Sequence, residues 1–381
     1  MNAEVFITRQ PVVNKHRAIT ANRLRIHARD AGLPFSAATE TLAELEEEWP
    51  NERTVFVGFG ETPGTELADW KAPQNAMIEF PAQALLDPEA LALMRELDAA
   101  GTSMCLDGFI PGMQLPPAPV FHFLLADASR VGRLNGAPGL TIAAQLAEPA
   151  GFDAALRAGY DGAVGWFFLN SKPGSAKLTP VHSQIVRLLN LVRRNAEVRD
   201  IEKVLKQDVA LAARLLRYIN SAAFGLRNQI QSFRHAVTIL GYEKLHKWLS
   251  VLLVTSSKDP QAPALMQTAI VRGRFMESLG RSFFDKSELD NLFITGAFSL
   301  LEALVGTSLE ASLDEMHLPE AICDALIKHD GVYADFLDLA LACEKDDFMP
   351  LADKAQEIGA SAMDINRAHF EAISFADSLQ F

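Results

Sequence analysis

At 381 residues, 49% hydrophobic and 22% charged, the chain is long enough for two domains with a core each, and its composition excludes wholesale disorder. A formal net charge of −13 argues against a generally basic, nucleic-acid-coating protein. The three cysteines, Cys105, Cys323 and Cys343, lack CxxC spacing and so argue against a disulfide framework or a zinc site, and they are expected to be reduced core residues.

The opening MNAEVFITRQ has no basic-then-apolar leader pattern, and the longest apolar run beside a helix, residues 248–254, is far too short to cross a bilayer, so a cytoplasmic protein without membrane insertion is expected. Residues 5–7 alternate as a strand does, and a turn at 10–14 is expected to lead into 18–27. Further strands are predicted at 54–58, 76–80, 104–107 and 119–125, with weaker ones at 139–143 and 162–168. Helical periodicity covers 37–49, 88–100 and 151–159 between them. Short apolar strands alternating with helices imply parallel β-α units, and about 175 residues is shorter than a usual eight-unit barrel of roughly 250. An abbreviated β/α barrel is therefore expected.

The stretch KPGSAKLTP at 172–180 interrupts this pattern and marks a domain boundary. After it every periodic segment is helical: 181–194, 200–206, 209–219, 264–284, 289–305, 308–316, 319–329, 334–343 and 350–358. Ser232 is a candidate N-cap for the helix beginning at His235, and Gly241 a candidate stop. Charge is divided unevenly here. Residues 181–258 hold 13 Lys and Arg against 5 Asp and Glu, whereas 259–381 hold 8 against 22. The halves either neutralise each other where they pack or leave a basic face for an acidic partner, with Arg193, Arg194, Arg199, Lys203 and Lys206 as its candidates.

The phrase FITRQPVVN at 6–14 resembles the start of bacterial signalling proteins that join a degenerate EAL domain to an HDOD domain. The likeness continues through EFP at 79–81, LDGF at 106–109, LAE at 146–148 and GWFF at 165–168. It is stronger in NSAAFG at 220–225 and in HAV and LG at 235–241, which match the HDOD core phrase, and in AFSLLEAL at 297–304 with PEAI at 319–322. The resemblance implies an EAL-like β/α barrel at 1–175, truncated, followed by an all-α, HD-related HDOD domain at 181–381.

Active EAL domains hydrolyse cyclic di-GMP with carboxylates that hold two divalent cations. Here Arg23 stands where the family carries its signature glutamate and His27 where it carries an arginine. Asp107 is followed by Gly108, no lysine occurs in FHFLLAD at 121–127, and the glutamate expected after Glu148 is absent from PAG at 149–151. Arg23, Glu79, Asp107 and Glu148 are thus relict EAL positions, and a cation at Arg23 repels a metal. The only adjacent His-Asp pair, His329-Asp330, precedes a glycine and fits a helix C-cap. Neither a dinucleotide fingerprint, a P-loop nor a G-x-S-x-G elbow occurs. Direct nucleic-acid binding has the basic segment in its favour, and the acidic total and missing DNA-reading motif against it.

No catalytic, metal or cofactor-binding residue is expected, and the chain is expected not to be an enzyme. The leading expectation is a non-catalytic scaffold that binds another signalling or regulatory protein. The alternatives are a cyclic di-GMP receptor, with Arg23 and Arg25 facing phosphates, and a residual phosphodiesterase. Asn220, Ser221, Phe224 and Gly225 are expected to be structural in the HDOD core, Asn220 and Ser221 by bonding local backbone.

Overall fold

The computed structural model describes residues 4–28, 35–128, 134, 137–170, 179–205, 207–220, 230, 232–257, 262–345 and 347–379. Strands β1 (Val5–Asn14), β2 (Ile19–Ala28), β3 (Thr54–Gly58), β4 (Ala76–Pro81), β5 (Ser103–Asp107), β6 (Phe121–Asp127), β7 (Leu140–Ala144) and β8 (Gly162–Val164) close into a barrel in chain order. β1 runs antiparallel to both β2 and β8, and all other neighbours are parallel.

Two expectations change here. The barrel is not truncated in its strands, since eight close it; among the described residues it is short of helices, with α1 (Ser36–Glu44), α2 (Pro88–Ala99) and α3 (Pro149–Ala158) in its connections. The turn expected at 10–14 is strand, because β1 continues through Pro11 to Asn14, and the chain reverses between Asn14 and Ala18 instead. Asn14 closes that reversal by accepting from the backbone N–H groups of His16 and Ala18, with Arg17 at φ 62°. The helix ends are legible in the chain: Asp87 caps α2 ahead of Pro88, and Gly159 ends α3 at φ 101°.

The chain folds into two compact units, one of residues 1–171 and 341–370, the other of 172–340 and 371–381. Residues 341–370 thus belong with the barrel, whereas chain order alone places them with the helices. Within the barrel unit they satisfy the backbone of β1. The Asn366 side chain accepts from Ile7 N at 3.0 Å and donates to Val5 O at 2.8 Å, and Arg9 N donates to Cys343 O at 2.9 Å.

The remaining helices are α4 (Pro180–Arg193), α5 (Val198–Leu205), α6 (Val209–Ile219), α7 (Phe233–Val254), α8 (Ala262–Gly280), α9 (Lys286–Phe298), α10 (Leu301–Val305), α11 (Leu309–Met316), α12 (Glu320–Cys323, continued by a π turn at Asp324–Lys328), α13 (Val332–Ala342), α14 (Met349–Ile358) and α15 (Ala362–Ser378). Ser232 caps α7 by accepting from His235 N. Gly241 breaks the helix at φ 74°, ψ 173°, after which it resumes. α8 and α9 meet backbone to backbone: a Cβ on Gly296 would lie 2.7 Å from the Cα of Gly273. No described helix is long and apolar enough to cross a membrane.

Candidate functional site at the barrel strand ends

Side chains along a strand alternate between its two faces, so one interior residue fixes the direction of the next but one. Ala21, Phe56 and Cys105 belong to the packed barrel interior together with Val12, Leu125, Ile142, Ala144 and Val164, and Met77 packs against that cluster. Two residues further along the same strands stand Arg23 on β2, Gly58 on β3, Glu79 on β4 and Asp107 on β5. Period-two alternation therefore aims all four at the space above the apolar floor, at the C-terminal ends of the parallel strands.

There Arg23 is the hub. Its Nε donates to Glu79 Oε2 at 2.7 Å and its Nη2 to Glu79 Oε1 at 2.5 Å, a bidentate fork, and the same Nη2 reaches Asp107 Oδ2 at 2.9 Å. Nη1 donates to Gln10 Oε1 at 3.3 Å. Arg23 and Glu79 are each only 5% exposed, while the Asp107 side chain keeps 35% of its surface. Burial works against the Arg23 charge, but the attraction and hydrogen bonds of Glu79, joined by Asp107, outweigh it and raise its pKa. Burial, then the charge of Glu79, pushes the Cys105 thiol well up, so it stays protonated.

The pairing spans β3, because Arg23 lies on β2 and Glu79 on β4. Gly58 is what makes room for it: a Cβ there would sit 2.9 Å from Glu79 Oε1 and 3.1 Å from its Cδ. Gly58 and Gln10 are not among the residues that the sequence patterns single out. A signal for Gly58 does exist in the alternation Phe56, Val57, Gly58, which puts a side chain of zero size on the interior face.

The divalent cations that an EAL-like barrel implies do not fit these residues. Both oxygens of Glu79 and one of Asp107 already bind a guanidinium that is itself buried, and a metal placed there would meet that charge at contact distance. Glu148 is exposed at the N-cap of α3, four residues beyond β7, and makes no side-chain cap. Among the described residues no three His, Cys, Asp or Glu side chains come close enough together to hold a metal. Arg25, at β2 level with Gly58, approaches Glu79 Oε1 at 3.9 Å and has a buried Nε with no hydrogen-bond partner among the described residues.

In the helical unit the basic candidates are placed unequally. Arg194 and Arg199 are exposed, and Lys203 is exposed but paired with Asp200 at 2.8 Å. Arg193 is half-buried, and burial lowers its pKa. Lys206 lies outside the described residues, as do Ser221, Phe224 and Gly225. Asn220 bonds backbone on both sides: its Nδ2 donates to Leu216 O at 2.9 Å and Ile230 O at 2.8 Å, and its Oδ1 accepts from Ile230 N at 2.7 Å. His329 ends the π turn in the left-handed region at φ 52°, with Asp330 accepting from Gly331 N. Cys105 and Cys343 are buried, whereas Cys323 is only partly so, which corrects its expected core position: it sits at the end of the four-residue α12.

Residues 176–305 match the sequence model of the HDOD domain, so that domain is present. A Vibrio cholerae protein named cyclic di-GMP phosphodiesterase CdgJ is 28% identical over 297 residues, 73% of this chain and 68% of its own. A Bacillus subtilis protein, YuxH, is 21% identical over 93% of both chains. The solved structure of the EAL enzyme Bd1971 in its cGMP-bound form aligns with 44% of this chain and 62% of its own, at a TM-score of 0.32 and 14% identity. The HDOD match and the eight-stranded barrel agree with the expected pairing of an EAL-like barrel and a helical HDOD domain. One expectation is corrected: that the chain is not an enzyme does not stand, because a relative matched over most of it is named a phosphodiesterase.

Proposed function

We propose that the chain is a component of cyclic di-GMP signalling that delivers its signal by protein recognition through the helical unit. The observation that carries this is the buried Arg23 fork on Glu79 with its branch to Asp107. It ties the two carboxylates of the barrel mouth to one buried guanidinium and fixes them in place. The groups left to meet a partner are those on the surface, among them the exposed Arg194 and Arg199 of the HDOD region. Rim charges of this kind steer an acidic partner and set the salt dependence of its association. A second reading, that the barrel binds cyclic di-GMP, is supported by Arg25, whose side chain keeps 24% of its surface beside the cluster, a guanidinium of the kind phosphates take.

Two measurements on the full chain test this. Proteins that co-purify with the tagged chain from its own cells are compared between wild type and Arg194→Glu/Arg199→Glu. Loss of a specific companion with retained folding is expected, and an unchanged set overturns the recognition surface. Calorimetric titration with cyclic di-GMP, with and without Mg²⁺ or Mn²⁺, tests the second reading: metal-independent binding weakened by Arg25→Ala supports it, and no binding removes it. Metal-dependent turnover abolished by Glu79→Gln would overturn the guanidinium-held barrel mouth.

A further inference from the structure

A groove of about 430 Å³ lies on the outside of the barrel unit between α1 and the 3-10 turn at Thr65–Asp69. Its wall includes Trp49, whose indole N–H donates to Asn75 Oδ1 at 2.9 Å; the two residues lie just ahead of β3 and β4, and so at the opposite ends of the strands. Trp49 is buried at 3% exposure and holds Trp70 edge-on at 6.0 Å between ring centroids. Trp70 itself is only half-buried and lines the groove.

Around this aromatic wall stand Glu40, Glu46, Glu66 and Asp69, all exposed, none forming an ion pair with another described residue. Among the described lining residues the single cation is Lys71. Glu48 next to this groove is, by contrast, paired with Arg367 at 2.7 Å. These four are instead gathered on the rim of an apolar depression with a tryptophan at its side. Aromatic faces attract cations through the ring quadrupole, and surrounding carboxylates deepen that potential while disfavouring anions.

We infer that this groove is a docking site for a basic segment of a partner protein, with an arginine or lysine side chain laid against Trp70 and its charge met by Glu66 and Asp69. The occupant follows from charge: among the described lining residues four acids stand against one base, which disfavours an acidic or nucleic-acid partner, and the apolar wall suits the methylene stem that such side chains carry. This contact surface is independent of the one on the helical unit.

The test is titration of the full-length protein with a tri-arginine peptide at low ionic strength, read by tryptophan fluorescence and calorimetry, with tri-glutamate and spermidine as comparisons. Saturable binding of tri-arginine that weakens as salt rises is expected, with none for tri-glutamate. Trp70→Leu and Glu66→Gln/Asp69→Asn should each weaken it about tenfold, whereas Trp70→Phe, which keeps a ring, should stay within about threefold. Glu310→Gln/Asp314→Asn on α11 should leave it unchanged. Should Trp70→Leu fail to fold, the two rim carboxylates, being exposed, decide the matter. Absence of saturable binding overturns the inference. So does equal weakening by the α11 variant, which would mean diffuse attraction to an acidic protein, and so does equal affinity for spermidine, which would mean a free amine as the ligand.

Discussion

Arg23 grips Glu79 through two parallel hydrogen bonds, 2.7 Å from Nε and 2.5 Å from Nη2, although the two residues lie on β2 and β4 with a whole strand between them. The pair is buried, so removing one member leaves the other charged and unmatched, a loss of about 3–5 kcal/mol. Arg23→Met should therefore lower stability by that order, and Arg23→Met/Glu79→Leu should recover most of it. Denaturant unfolding of the three proteins measures this, and a double variant as unstable as the single one would contradict the pairing.

Gly58 should be coupled to that pair. A methyl group at its position collides with Glu79 Oε1, so Gly58→Ala is expected to cost about 1–3 kcal/mol through overpacking. In a Glu79→Ala background the collision is gone and the cost should shrink. A double-mutant cycle reads the coupling directly, and simple additivity would show that Gly58 does not make the room.

Asn220 makes three hydrogen bonds to backbone at 216 and 230, which join two points of the chain ten residues apart. Asn220→Ala should destabilise the helical unit by about 2–3 kcal/mol and speed protease cleavage between positions 220 and 230. Asn220→Asp, which keeps the acceptor for Ile230 N and loses the donors, should fall between. Unchanged cleavage in Asn220→Ala would count against this clasp.

What was legible in the chain follows the reach of each signal. Strand alternation and turn residues are local, and they placed β3 to β7 and the helices between them. Pro11 misled because proline is usually a strand breaker; here it lies on β1 opposite Asn22, and its carbonyl accepts from Gly165 N. Arg23 and Glu79 are 56 residues apart in sequence, and their meeting depends on which strands are two apart in a closed barrel. A family pattern hints at such a meeting, but no local periodicity reaches that far. The same holds for Asn366, which bonds to β1 across 361 and 359 residues.

His246 makes the helical unit sensitive to acid. Burial, then the charge of Arg193, lowers its pKa from 6.5 to about 4, so it is neutral in the fold where the unfolded chain would already be protonated. Above pH 6.5 the ring is neutral in both states and costs nothing. As pH falls from 6.5 toward 4, protonation favours the unfolded chain, and stability drops on the order of 3 kcal/mol across that window. Glu277 adds in the same direction: burial raises its pKa, but Lys247 and Arg274 outweigh this and lower it, so its stabilisation is lost on protonation. Unfolding midpoints between pH 4 and 7 should drop less steeply in His246→Leu than in wild type. Parallel profiles would exclude His246 as the titrating group.

A guanidinium, not a metal, holds the carboxylates at the barrel strand ends. Calorimetric titration of the full chain with Mn²⁺, repeated on Asp107→Asn and Glu79→Gln, tests this most directly. The expected result is the same weak, unsaturable heat in all three proteins. Saturable Mn²⁺ binding in wild type that both substitutions abolish would contradict it.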